Sequence, residues 1–94
     1  MDRTYLVECY WPEATPAALT DAGIRAVAAA RELCASGQRV RFLGSLLIPA
    51  DETVFCRFAG KSAADVETAS TLAQLRFDRI LESVELPGDD DVGS

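Results

Sequence analysis

Ninety-four residues with nine basic and fifteen acidic side chains make one small domain of net charge −6, too short for a second core and without the basic footprint of a nucleic-acid binder. No apolar run reaches the ~18 residues of a membrane span and Met1-Asp2-Arg3-Thr4 opens no secretory signal, so a cytoplasmic protein with no membrane partner is expected. The absence of histidine removes the usual general base near neutral pH and the commonest transition-metal ligand.

Arg3 to Trp11 (RTYLVECYW) alternates β-branched and aromatic residues and is closed by Pro12, predicting a strand. Thr15-Pro16 opens a helix, the hydroxyl accepting a free N–H and proline taking the first helical position. From there to Ser36, Leu19, Gly23, Val27, Ala30, Leu33 and Cys34 recur at helical spacing, Asp21, Arg25 and Glu32 fall opposite, and Gly37 is the stop. The chain's 15 alanines predict close packing of helix on sheet. Gln38–Ile48 and Glu52–Ala59 are two strands joined by the turn Pro49-Ala50-Asp51, hence an antiparallel hairpin. Gly44-Ser45 inside the first of them marks a bulge or a close backbone approach. Ser62 caps a second helix with Val66, Ala69, Leu72 and Ala73 as its buried stripe, and Arg76 to Leu86 is the last strand. The order βαββαβ predicts an α+β, ferredoxin-like fold over residues 1–86: an antiparallel sheet of order 4-1-3-2 with both helices on one face. Residues 87–94 (PGDDDVGS) carry three carboxylates and little apolar area, and are expected to be a mobile acidic tail.

Alternation assigns the faces. Val7, Cys9, Val40, Phe42, Leu46, Val54, Cys56 and Phe58 are expected under the helices. Leu6, Glu8, Tyr10, Arg39, Arg41, Leu43, Ser45, Leu47, Thr53, Phe55 and Arg57 are expected on the opposite face, which mixes large apolar groups with charges. Left bare it exposes a sizeable apolar patch, and the cheapest cover is a second copy in an isologous homodimer. In the last strand, Ile80, Glu82, Val84 and Leu86 are assigned to this open face, with Leu81 and Ser83 toward the helices. Glu8 and Glu82 then become neighbours, and two close carboxylates are a recognised source of an acid or base near neutrality. The same groups paired with Arg41 and Arg57 instead make ion pairs that fix dimer register.

Three cysteines, Cys9, Cys34 and Cys56, are an odd count at wide spacing, neither a disulfide framework nor a zinc motif. They are expected to be buried thiols in a reducing compartment. Tyr10-Trp11-Pro12 at a strand exit is read as capping the core edge, with a pocket mouth or an interface anchor as the alternatives.

The segments YLVECYWP, RFLGSLLIPADETVFCRF and FDRILESVEL, with G-S-x-x-x-P-x-D-E-x-x-F-C within the second, together resemble a bacterial family of small ferredoxin-like domains of unknown function. One relative in that family is described as nickel-binding. The resemblance covers residues 4 to 86 and implies a dimeric α/β barrel. With no histidine, a nitrogen-rich nickel site carries over to no residue, leaving Glu8, Glu52 and Glu82 as oxygen donors for a hard cation. Three functions compete. The first is a dimeric module holding a small organic ligand among Glu8, Tyr10, Arg41, Ser45, Arg57 and Glu82. The second is a cofactor-independent enzyme of isomerase, cyclase or monooxygenase type with Glu8 or Glu82 as acid or base, and the third a divalent-metal-binding protein. The first is preferred, with no cofactor and no metal.

Overall fold

The computed structural model describes residues 2–89. Its strands β1 (Arg3–Tyr10), β2 (Val40–Ile48), β3 (Thr53–Gly60) and β4 (Arg79–Ser83) form one antiparallel sheet in the order β2-β3-β1-β4. Helices α1 (Pro16–Ala35) and α2 (Ala63–Leu72) pack on one face of it. The thinnest dimension, 21 Å, is that of two layers, about 10 Å for a helix and as much for a sheet. The other sheet face therefore has no cover among the described residues.

Local signals set the helix ends as the residues predict. The Thr15 hydroxyl accepts the Ala18 N–H at 3.1 Å with Pro16 at the first helical position, and Ser62 does the same for Asp65 at 3.3 Å. Gly37 (φ 96°) follows Ser36 and turns the chain so that the Gln38 N–H reaches the Leu33 carbonyl at 3.0 Å, the left-handed stop that glycine supplies cheaply.

Small residues let the helices sit close. The buried stripe of α1 is Ala22, Ala26, Ala29, Ala30 and Leu33, rotated from the expected one, so Cys34 ends up exposed. On α2 the stripe is Val66, Ala69 and Ser70, continued by Ala73. Leu72 lies off this i, i+3, i+4, i+7 line and is exposed. Buried Ser70 satisfies its hydroxyl on the Val66 carbonyl at 2.8 Å. Beneath the helices Tyr5, Val7, Cys9, Val40, Val54, Cys56 and Phe58 form the core, and Phe42 meets Phe58 edge-on, ring centroids 5.3 Å apart.

The last strand is shorter than expected. It ends at Ser83, and Val84 and Leu86 beyond it are exposed and in no strand. Most of the acidic tail, residues 90–94, lies outside the described residues. Among the described residues no helix is long and apolar enough to cross a membrane.

Candidate functional site

The open sheet face follows from the strand register. Opposite Leu6, Glu8 and Tyr10 of β1 stand Arg57, Phe55 and Thr53 of β3 on one side, and Leu81 and Arg79 of β4, opposite Leu6 and Glu8, on the other. Arg41 of β2 faces Ala59. Of the six residues expected to line a pocket here, Glu8, Tyr10, Arg41 and Arg57 are on this face and two are not.

Ser45 is the first correction. Phe42 pairs with Phe58 and Gly44 with Arg57, so Leu43 is left unpaired in a β-bulge. One extra residue inverts the alternation of everything after it. Ser45 therefore stands opposite Cys56, and Leu47 opposite Val54, on the helix side, while Leu46 and Ile48 turn to the open face. The Ser45 hydroxyl lies 3.9 Å from the Cys56 sulfur. The glycine in the bulge marked it in the sequence, but its effect on parity needs the register.

Glu82 is the second. Adjacent apolar residues Ile80 and Leu81 leave alternation undecided. The fold resolves it by setting Ile80 opposite Val7, packed on the core, and Glu82 opposite Tyr5. Glu82 is thus on the helix side, exposed, 3.8 Å from Arg3. The expected Glu8–Glu82 acid–base pair is not assembled within the chain.

The partner of Glu8 is instead Arg79, directly opposite it on β4. Arg79 Nε donates to Glu8 Oε1, and this contact raises the guanidinium pKa. Sequence reasoning missed this pair because the last strand carried the wrong parity; opposite charges directly across an antiparallel pair are its signature once the register is known. Arg41 and Arg57 are in no ion pair among the described residues. Tyr10 is 59% exposed, and its hydroxyl donates to Glu52 Oε1 at 3.4 Å.

The three expected oxygen donors do not converge: Glu8 is held by Arg79, Glu52 by Tyr10 and Glu82 by Arg3. Among the described residues no group of three cysteine, aspartate or glutamate side chains comes together to hold a metal ion. The residues present do not fit the nickel site implied by the resemblance.

All three thiols are free, Cys9 and Cys56 buried side by side under the helices and Cys34 exposed. The contact with Cys56, then burial, pushes the Cys9 thiol far above its ordinary range, so it is a proton-holding core group and a poor nucleophile.

No family model matches the chain, and no curated protein does. Among solved structures the chain is similar in fold to SCO4226 from Streptomyces coelicolor A3(2), at 23% identity and a TM-score of 0.74, covering 90% of this chain and 99% of that one. This likeness shows the fold, a small α+β domain found in a bacterial protein.

Proposed function

We propose that the domain is a cytoplasmic, homodimeric binding module and that its open sheet face is the surface through which two copies pair. The observation that carries this reading is the composition of that face: Leu6, Leu46, Ile48, Phe55 and Leu81 lie on the uncovered side of the sheet, with the Glu8–Arg79 pair toward its β4 edge. Leu46 is 54% exposed and Ile48 36%. A monomer rarely leaves such a patch to water.

The dimensions suit a second copy. Four strands of five to nine residues span roughly 19 Å by 25 Å at ordinary strand spacings. With side-chain relief, that is of the order of the ~800 Å² per partner that a stable interface buries. Arg41 and Arg57 have long apolar stems that lie along such a surface and guanidinium heads that reach its rim. The charged groups of the face set register in this reading, and no acid–base chemistry is assigned to them.

The test is Leu46→Glu, at a position exposed in the single chain and so tolerated by its fold. The variant is expected to keep its helical circular dichroism and to run as a monomer in light scattering. A Leu46→Glu protein that stays as dimeric as the parent would reject this face as the pairing surface.

A further inference from the structure

At the C-terminal end of β1, on the helix side of the sheet, the chain folds around a cleft of about 350 Å³, near the lower limit of small-molecule pockets. Trp11, Leu75 and Cys9 give it apolar walls, and Arg25, Arg76 and Gln74 its polar lining. No described acidic side chain lines it, although the chain as a whole carries −6.

The cleft is held rigidly. Arg25 Nε donates to the Ala73 carbonyl at 2.9 Å, capping the end of α2, and Nη1 pairs with Asp21. Two contacts orient the guanidinium and leave its remaining N–H groups for another partner. Arg76 is exposed and in no ion pair among the described residues. Leu75 is buried and anchored by its N–H on the Ser70 carbonyl at 3.0 Å. Asp78 ties the following loop to β1, donating from its N–H to the Glu8 carbonyl at 2.7 Å and accepting the Tyr10 N–H at 2.8 Å.

Gln74 adds an observation of a different kind. It stands just beyond α2 with φ 62°, a conformation that glycine adopts cheaply and a long side chain does not. Its amide group enters no hydrogen bond among the described side chains. Its backbone closes α2, with its own N–H on the Thr71 carbonyl at 3.0 Å and the next N–H, of Leu75, on the Ser70 carbonyl, which leaves the side-chain amide at the lip of the cleft available to something that enters.

We infer that this cleft binds a small aromatic monocarboxylate, its ring against Trp11 and Leu75 and its carboxylate on Arg76 and the free N–H groups of Arg25. A planar body suits the indole wall, and a carboxylate suits the guanidinium fork. One half-neutralised and one free guanidinium favour a single negative charge. This inference rests on the reading of the domain as a binding module, but the cleft is built by one chain and opens on the helix side, sharing Tyr10 alone with the open face, so its ligand titration is read separately from the oligomeric state.

Trp11 is the chain's one tryptophan, so fluorescence excited at the indole edge reports from this cleft. The full chain is titrated with benzoate, phenylacetate and 3-phenylpropanoate, with the neutral amide of each, and with inorganic phosphate. At least one acid is expected to saturate below about 10 mM, and its amide to bind about tenfold more weakly or worse. Arg76→Gln, at an exposed position without a structural contact, should weaken the acid about tenfold, while Arg31→Gln on the outer side of α1 should not. Arg25 is unsuited to the test because it also caps α2. The proposal is overturned if no acid saturates in that range, if the amides bind equally well, if Arg76→Gln leaves binding unchanged, or if phosphate alone binds as tightly as the acids.

Discussion

Glu8 shows how much of a residue's role depends on its cross-strand neighbour. Its residue type and its place on the open face were legible from the alternation Leu6-Glu8-Tyr10, whereas its partner was not, because Ile80 and Leu81 are both apolar and either could have faced the helices. With Arg79 opposite it, Glu8→Gln keeps the shape and removes the charge, leaving an arginine to enter the paired face alone. Each chain should stay folded while self-association weakens about tenfold or more, as measured by a sedimentation dilution series; unchanged association would remove Glu8 from the interface. Cysteine burial divides in the same way. Cys9 and Cys56 follow from strand alternation, but Cys34 was misjudged because alanines, not the larger residues, form the buried stripe of α1. In the native protein a thiol reagent should therefore modify one of the three cysteines promptly and the other two about a hundredfold more slowly, on opening of the core. Prompt reaction of two or three thiols would contradict that burial.

At the scale of elements, punctuation was far more legible than parity. Thr15-Pro16, Gly37, the Pro49-Ala50-Asp51 turn and Ser62 bound the helices and the hairpin because caps and turns are local chemistry, readable from a few adjacent residues. The face presented by the second half of β2 depends on how β2 sits against β3, and the bulge at Leu43 inverts it. Gly44 holds that bulge at φ 131°, with nothing within 4 Å of where a Cβ would stand. Replacement is therefore costly through backbone conformation alone. Gly44→Ala should destabilise the fold by about 1–3 kcal/mol in urea unfolding, and a cost within error would mean the bulge is not fixed by this glycine. The end of β4 was less legible: Val84 and Leu86 continue a strand-like pattern, but the ladder with β1 stops at the Thr4–Ser83 pair and both residues are exposed.

The whole molecule is a two-layer α+β domain whose helices cover one side of a four-stranded sheet and leave the other bare. That architecture was legible because six elements in the order βαββαβ, with a short turn only between the middle strands, admit few right-handed arrangements. The candidate site was less legible: four of its six expected residues share the open face, and the two lost ones, Ser45 and Glu82, were lost to a bulge and to an undecided strand parity. What survives is an apolar face with the Glu8–Arg79 pair toward its β4 edge, the face we propose for pairing of two copies. Tyr10-Trp11-Pro12, read as capping the core edge with a pocket mouth as one alternative, lines the cleft, which Arg25 and Arg76 join only through the tertiary fold. The most direct measurement of the central claim is sedimentation equilibrium of the full chain at micromolar concentration. The account predicts a species of about twice the 10.1 kDa chain mass, and a 10.1 kDa species throughout would contradict it.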